Sequence, residues 1–286
     1  MKKDLPASVR ARLLTLAKAQ GVDFNQILIR FALERFLYRL SVSKHADRFV
    51  LKGALLFTLW YDMPHRATRD ADLLGFGPSD LESIGETFRD IANVEIDDGI
   101  VFDAASVTVD EIRKEAGYAG ARVLITAEIA KARCKTQIDI GFGDAVTPGP
   151  VDSTYPVLIG DFPAPQLRTY PVYTVVAEKL HAIAILGMTN TRLKDYLDLW
   201  VLLEREVLAP DLLAVAIAAT FVRRGTAVPG TLPIGLTDEF ARDSSRLDLW
   251  QGFLKKNALN PVALDDVIVK LRLVLEPAME LAKNGL

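Results

Sequence analysis

The chain has 286 residues, half of them hydrophobic and a quarter charged, and its 18 Gly and 14 Pro exclude collagen-like, low-complexity and wholly disordered proteins. One cysteine and three dispersed histidines exclude disulfide scaffolds and sites rich in Cys or His, so any metal must bind carboxylates. The formal net charge of −3 excludes a surface that is basic throughout. The length favours two domains, and no apolar run suits a signal peptide or a membrane span, which predicts a cytoplasmic protein without a membrane partner.

The first half of the chain alternates helical and extended patterns. Pro6 and the apolar spacing predict a helix over 6–20, and Asp23 is the expected N-cap of a second helix. A strand at 49–51 then runs through Lys52–Gly53 into a helical segment. Ser79 is the expected N-cap of a later helix. The other strands are predicted over 70–74, 107–109, 122–130 and 135–142, the last two as neighbours.

The second half is separated from the first by a proline-rich stretch. Six of the prolines fall between 145 and 171, which disfavours a helix and predicts an extended crossing. We therefore expect a catalytic domain over 1–150, including the N-terminal helices, and a helical domain over 151–286. Helices of the second domain are predicted over 174–187, 193–205, 210–223 and 262–283.

Three aspartates on predicted strands are candidate metal ligands. Asp70 and Asp72 stand two apart, so their side chains project from one face of a strand. Chance alone gives about two Asp-x-Asp pairs in a chain of this composition, so the pair carries little weight by itself. Asp139 lies in an alternating strand and adds a third acid. Three neighbouring carboxylates repel one another without a cation, and Mg²⁺ prefers such oxygen ligands.

Basic and hydroxyl side chains accompany the acids. Lys52–Gly53 sits at a strand-to-helix turn, where glycine permits close backbone approach and a helix start attracts phosphate. Arg66, Thr68 and Arg69 immediately precede the acidic pair, as expected for contacts to phosphate groups or for an ordinary charged loop.

Four segments together resemble the motifs of the AbiEii-type nucleotidyltransferase toxins, which include the MenT group. The segments are LKGALLFTLWYDMPHRATRDADLL, QIDIGFGD, VVAEKLHAI and RLKDYLDLWVLL. The resemblance covers roughly residues 45–205, and its specificity comes from the order and spacing of the four segments. One departure is that the family usually has Gly-Gly or Gly-Ser where this chain has Gly53–Ala54.

The resemblance implies an α/β (α+β) nucleotidyltransferase core of the DNA polymerase β type, with a mixed sheet and an α-helical C-terminal domain. By resemblance, Asp70, Asp72 and Asp139 are the metal ligands for Mg²⁺ or Mn²⁺. Lys179 matches a lysine that acts on nucleotide phosphates, and Asp195 matches an essential acid. The residues implied in nucleotide binding are Lys52, Gly53, Arg66, Thr68, Arg69 and Lys179.

The implied function is transfer of a nucleotide from an NTP to RNA, with a tRNA 3′ end as acceptor, by the toxin of a toxin–antitoxin or abortive-infection system held in check by a cognate antitoxin. Either Asp139 or Asp195 would assist deprotonation. Two alternatives remain open: a glycosyltransferase that binds a divalent metal through Asp-x-Asp, and a non-catalytic nucleotide-binding protein. For the later motifs, Glu178 with Lys179 could be an exposed helix pair, and Asp195 could pair with Arg192.

Overall fold

The computed structural model describes residues 4–61, 68–113 and 119–284. The chain divides into two compact units, the first formed by Met1–Gly143 with Val151–Thr169 and the second by Asp144–Pro150 with Tyr170–Leu286. The first unit holds a mixed sheet with helices, and the second is helical. The predicted fold class, an α/β core followed by helices, is confirmed.

The first unit combines helices and strands in alternating order. Its described helices are α1 (Leu5–Gln20), α2 (Phe24–Val42), α3 (Leu55–Tyr61) and α4 (Leu81–Ala92). Its described strands are β1 (Phe49–Lys52), β2 (Asp70–Gly75), β3 (Val101–Arg113), β4 (Ala119–Ile129), β5 (Ala132–Phe142), β6 (Val151–Thr154) and β7 (Gln166–Thr169).

The seven strands form one sheet in the order β3-β4-β5-β2-β1-β7-β6. Strand β2 lies at its centre, parallel to β5 and antiparallel to β1. Strands β3, β4 and β5 form an antiparallel meander, and β7 pairs parallel to β1. The central position of β2 places the Asp-x-Asp segment between two paired neighbours.

Aspartates cap the first helices. Asp23 caps α2 as predicted, since its carboxylate accepts a hydrogen bond from Asn25 N at 2.9 Å. The expectation for Ser79 is wrong, because the N-cap of α4 is Asp80, whose carboxylate accepts from Ser83 N at 2.8 Å. The acidic side chain also interacts favourably with the helix dipole, which a serine hydroxyl does less well.

The proline-rich stretch contains two short strands, β6 and β7, as well as the expected extended backbone. Prolines lie before β6 and between the two strands, while the strand residues themselves contain none, so their N–H groups can pair. Because β7 joins β1 in the sheet, residues 151–169 belong to the first unit, whereas the sequence assigned them to the second domain.

The second unit is built from helices α5 (Val172–Leu186), α6 (Leu193–Arg205), α7 (Pro210–Arg223), α8 (Asp238–Arg242), α9 (Ser244–Lys256) and α10 (Leu264–Lys283). Helix α7 packs against both α5 and α10, and α6 packs against α10. The predicted helices correspond to α5, α6, α7 and α10, while α8 and α9 were not predicted. Tyr196 of α6 stacks on Phe240 of α8 with ring centroids 5.2 Å apart.

Among the described residues, one helical stretch, Val172–Thr189, is long and apolar enough to cross a membrane by length and composition alone. Val176, Ala177 and Leu180 in this stretch are fully buried within the second unit. Lys179 at its middle is paired with carboxylates of α6. These are properties of a core helix.

Candidate active site

A row of charged residues crosses the sheet of the first unit. Lys52 on β1 is in register with Asp72 on β2, Asp72 with Asp139 on β5, and Asp139 with Arg122 on β4. Residues directly opposite one another on paired strands project from the same face of the sheet. One face therefore carries two acids flanked by two cations, and we call these four residues the charged row.

The Asp-x-Asp pair has the geometry that its spacing predicts. Asp70 and Asp72 are half-buried on the same face of β2, and Ala71 between them is fully buried on the other face. Thr68 Oγ1 donates to Asp70 Oδ1 at 2.6 Å, so the predicted hydroxyl does contact the pair. Arg69 is exposed. Arg66 lies outside the described residues.

Asp139 has a partner that the sequence analysis missed. Arg122 donates from Nε to Asp139 Oδ1 at 2.9 Å and from Nη2 to Asp139 Oδ2 at 2.8 Å, a bidentate pair. Gln137 Nε2 also donates to Asp139 Oδ1, at 3.2 Å. The cation that three neighbouring carboxylates require is thus supplied, at least in part, by a guanidinium of the chain itself.

The electrostatics of Arg122 show that it senses the whole acidic face. The hydrogen bonds that Arg122 donates to Asp139 raise the pKa of the Arg122 guanidinium, and the charges of Asp139, Asp70 and Asp72 raise it further, against a smaller opposing effect of burial. Arg122 keeps 39% of its side chain exposed, whereas Asp139 keeps 10%. The guanidinium therefore has room to move, and the carboxylate has little.

The residues fit a divalent cation held by two protein carboxylates better than one held by three. In the part of the chain that the structure describes, no group of three or more His, Cys, Asp or Glu side chains is arranged to hold a metal ion. Both Asp139 oxygens accept from Arg122, whereas Asp70 and Asp72 project from the same face of β2 at the spacing of a carboxylate pair. Mg²⁺ commonly takes one or two protein carboxylates and completes its shell with water and substrate phosphates.

Gly53 follows β1 at the turn into α3, next to Asp72. Its φ of 76° lies in the left-handed region, and a Cβ atom added there would lie 2.8 Å from both Cβ and Cγ of Asp72. Such a separation is far inside van der Waals contact, so only glycine fits beside Asp72 without displacing it. The predicted close backbone approach is made to the acidic pair itself.

The second unit holds a separate cluster around Lys179. Its ammonium donates to Asp195 Oδ1 at 2.8 Å and to Asp198 Oδ2 at 2.7 Å, and Arg192 Nε donates to Asp195 Oδ2 at 2.7 Å. Both aspartates are fully buried. Burial lowers the pKa of Lys179, but the two carboxylates outweigh it and hold that pKa above its ordinary value. Lys179 and Asp195 are therefore in contact. The Arg192–Asp195 pair, which the sequence left open, is also formed.

Comparison with known proteins identifies the family. A family model described as "Nucleotidyl transferase AbiEii toxin, Type IV TA system" matches residues 35–269, most of the chain. The chain belongs to this family. It is accordingly a nucleotidyltransferase and a toxin-family enzyme, which sets aside both the glycosyltransferase and the non-catalytic alternatives. The family implies an NTP substrate, an antitoxin partner and, as in nucleotidyltransferases generally, a divalent metal.

Two solved structures are similar to the AbiEii chain. One is a nucleotidyltransferase candidate from H. pylori, at 18% identity and a TM-score of 0.47, covering 87% of this chain and 93% of that one. The other is JHP933 from Helicobacter pylori, at 17% identity and a TM-score of 0.49, covering 87% and 90%. Among curated protein sequences, none matches significantly.

Proposed function

We propose that this AbiEii enzyme transfers a nucleotide from an NTP to RNA, with a tRNA 3′ end as acceptor, in a reaction that depends on Mg²⁺ or Mn²⁺. The observation that carries the proposal is the half-buried pair Asp70 and Asp72, projecting from one sheet face against the backbone of Gly53. In a nucleotidyltransferase family this is the acidic pair best suited to hold a metal-bound triphosphate.

Asp70 and Asp72 would hold the cation, with phosphate oxygens of the NTP completing its shell. The cation, when bound, supplies charge neutralisation at the α-phosphate and at the leaving pyrophosphate. Gly53 keeps side-chain atoms away from Asp72, so that the carboxylate can face the triphosphate. Lys52, opposite Asp72 in the charged row, adds positive charge on the same face.

The reaction is an in-line displacement. An acceptor hydroxyl oxygen forms a bond to the α-phosphorus, the bond from that phosphorus to the pyrophosphate oxygen breaks, and the hydroxyl proton must leave. Asp139 is the better acceptor for this proton, because it shares a sheet face with Asp70 and Asp72. Asp195 is fully buried, and the charges of Lys179 and Arg192 overcome burial to hold its pKa below the ordinary value.

Lys179 would contact phosphate through a single N–H group of its ammonium. Its two hydrogen bonds to Asp195 and Asp198 leave one of the three ammonium protons for another acceptor. Around Lys179, the two acids balance the charges of Lys179 and Arg192, so any attraction to phosphate would come from that directed N–H group more than from net charge.

The acceptor RNA would be held by few cations. A net charge of −3 disfavours a broad phosphate-binding surface, so exposed residues such as Arg69 in the first unit and Lys194 in the second are the candidates. A small number of phosphate contacts predicts modest affinity and a shallow dependence on salt.

The decisive experiment incubates the purified chain with Mg²⁺, total tRNA and each labelled NTP in turn, followed by electrophoresis of the RNA. We expect label in tRNA with the wild type and its loss, by at least 100-fold, in Asp72→Asn. Asp152→Asn, which changes an exposed aspartate on the edge strand β6, is the matched control and should retain wild-type transfer. Labelled RNA from Asp72→Asn at the wild-type rate would refute the site.

A further inference from the structure

Arg122 is the one member of the charged row whose place in the reaction is not explained by holding metal, nucleotide or proton. It lies on β4 between two carboxylates, with Asp139 opposite it on β5 and Asp110 opposite it on β3. Its guanidinium is bonded to Asp139 through two nitrogens. The proposed function requires the same Asp139 to accept a proton from substrate, so the two uses compete for its oxygens.

We propose that Arg122 is a positioning residue that occupies Asp139 while the acidic face is empty, and shifts towards Asp110 when cation and substrate arrive. This inference rests on the proposed function at one point: Asp139 must be released from Arg122 because it is proposed to accept the substrate proton. The competition itself, between a guanidinium and a divalent cation for one acidic face, does not depend on which reaction follows.

Charge balance explains why such a residue is needed. Asp70, Asp72 and Asp139 share one face, and the like charges destabilise one another when no cation is bound. The positive charge of Arg122 offsets one of the three carboxylates, and Lys52 adds a second positive charge on the same face, so the like-charge repulsion without a bound cation is reduced. Arrival of a cation adds two positive charges and weakens the hold of Asp139 on Arg122.

Asp110 gives the displaced guanidinium a second partner. It is exposed, and it is paired with Arg122 in the regular part of the β3–β4 ladder. Directly opposite residues on antiparallel strands have Cβ atoms about 4.5–5.5 Å apart, within reach of an arginine side chain. Because Arg122 is 39% exposed, it can turn from one carboxylate to the other without opening the core.

The same hairpin supplies a matched control pair. Glu128 on β4 and Arg133 on β5 are opposite one another in register, and Arg133 Nε lies 2.6 Å from Glu128 Oε2. This pair is six residues along each strand from Arg122 and Asp139, which corresponds to about 20 Å. It therefore has the same chemistry on the same face of the same hairpin, but far along the strands from the three aspartates.

The test measures Mn²⁺ binding to the full chain by titration calorimetry without nucleotide. Arg122→Gln should bind Mn²⁺ about tenfold more tightly than the wild type, because a competing cation is gone and the negative charge of nearby Asp139 is no longer neutralised. Arg122→Lys should fall between the two, since it keeps the charge but loses the bidentate geometry. Asp139→Asn added to Arg122→Gln should abolish the gain, and Arg133→Gln should leave the affinity unchanged.

A second arm tests the shift towards Asp110. Asp110→Asn should weaken Mn²⁺ binding by about two- to threefold in the wild type, because the displaced guanidinium loses its alternative partner. In the Arg122→Gln background the same change should have no effect. An equal loss in both backgrounds would mean that Asp110 acts only through its charge, and would overturn the shift.

The outcomes separate this inference from the proposed function. An Arg122→Gln affinity within twofold of the wild type, including no detectable binding by either, overturns the role of Arg122 even if tRNA is labelled normally. A tenfold gain that Asp139→Asn removes supports that role even if no NTP is ever transferred to RNA. If Arg122→Gln does not fold, Arg122→Lys decides by the same criterion, with a gain of at least twofold expected.

Discussion

The two units of this enzyme each contain a cation held by aspartates, but the two clusters differ in burial. On the sheet, Arg122 keeps 39% of its side chain exposed, while its partner Asp139 keeps 10%. Among the helices, Lys179 keeps 13% exposed and its partners Asp195 and Asp198 keep 1% of theirs. The same pairing of charges therefore serves different ends: a pair with an exposed arginine can exchange partners, whereas a pair buried on both sides holds helices together.

The difference has an energetic basis. Removing one member of a buried pair leaves an uncompensated charge away from water, which costs about 3–5 kcal/mol, while an exposed pair is worth about 0–1 kcal/mol. Substitutions in the helical cluster should therefore act first on stability. Substitutions in the charged row should act first on ligand binding and on the reaction.

The largest effect is expected for Lys179→Met. The change leaves Asp195 and Asp198 buried without their shared ammonium, so the free energy of unfolding of the second unit should fall by about 3–5 kcal/mol. Urea unfolding followed by Trp200 and Trp250, which both lie in the second unit, measures it. Adding Asp198→Asn should restore part of the loss, because it removes one of the two buried negative charges that Lys179 balanced, while Asp195 keeps its bond from Arg192.

Lys270→Met is the control for that measurement. Lys270 Nζ lies 2.8 Å from Glu204 Oε1, but 35% of the lysine side chain and 47% of the glutamate side chain are exposed. Its loss should cost less than about 1 kcal/mol. Equal destabilisation by the two substitutions would contradict the assignment of the Lys179 cluster to the core of the helical unit.

The next largest effect is expected for Gly53→Ala, on the sheet side of the comparison. The new Cβ atom would lie 2.8 Å from Cβ and Cγ of Asp72, and alanine is also strained at a φ of 76°. Displacing Asp72 should lower nucleotide transfer by at least 100-fold, because a small misplacement of a reacting group has a large effect on rate. Stability should fall by about 1–3 kcal/mol.

Gly21→Ala separates backbone strain from the contact with Asp72. Gly21 has a φ of 64°, close to that of Gly53, and a Cβ atom there would meet nothing within 4 Å. It should cost about 1 kcal/mol of stability and leave transfer unchanged. If both alanine variants transfer nucleotides equally well, Gly53 is present only for its φ angle.

The sequence was sufficient to predict the strand positions of the three aspartates, but not to predict that Arg122 pairs with Asp139. The alternation of β2 and β5 follows directly from their residues, so Asp70, Asp72 and Asp139 could be assigned to one face. Arg122 could have been paired with Asp139 by counting back from the β4–β5 turn. That turn is Ala130–Lys131, with φ of 44° and 68°, and such turns usually contain Asn or Gly, so its position was not visible in the sequence.

The helical unit was less predictable because its charges are set by packing. Glu178, Lys179 and Asp195 read equally well as exposed helix pairs, since spacing alone does not tell which face of a helix is covered. Burial of Asp195 and Asp198 depends on how α5, α6 and their neighbours meet. Similarly, β6 and β7 are too short to stand out between prolines, and only their pairing in the sheet defines them.

A smaller effect is expected from pH in the first unit, where a third cluster is buried. Burial raises the pKa of Glu34 to about 7 from 4.5, although Leu158 N donates to it at 2.6 Å and Arg35 and Arg30 favour its charged form. The folded state then binds a proton more tightly than the unfolded state. Unfolding free energy should therefore decrease by up to about 3 kcal/mol as pH rises from about 4.5 to 7.

Glu34→Gln checks this dependence, since the amide oxygen can still accept from Leu158 N but does not titrate. Urea unfolding of the first unit between pH 4.5 and 7 should be flatter for the variant than for the wild type. Glu82→Gln, an exposed glutamate in the first turn of α4, should leave the wild-type slope in place. An unchanged slope in Glu34→Gln would assign the pH dependence to another group.

The smallest expected effect has the opposite sign and belongs to the second unit. Burial first, and then the charge of Arg224, lower the pKa of His181 to about 4 from 6.5. Arg224 Nη1 lies 3.1 Å from His181 Nδ1, and since a guanidinium can only donate, Nδ1 accepts and Nε2 donates to Thr226 Oγ1 at 3.0 Å. A proton on Nδ1 would face the guanidinium, so the folded state keeps the ring neutral.

The folded pKa of His181 is depressed, so the unfolded chain binds its proton first as pH falls from 6.5 towards 4, and the second unit should lose about 1–2 kcal/mol of stability over that window. This is below the full value of the pKa shift because Arg224 can turn away from a protonated ring.

His181→Gln should remove the loss of stability at acid pH while keeping hydrogen-bond partners for Arg224 and Thr226. His45 contacts Asp90 in the first unit, so His45→Gln should leave the acid-side loss of the second unit unchanged. Since Glu34 weakens the first unit with rising pH and His181 weakens the second with falling pH, the two unfolding transitions should move in opposite directions between pH 4.5 and 6.5. Movement in the same direction would contradict the assignment whose transition has the wrong sign.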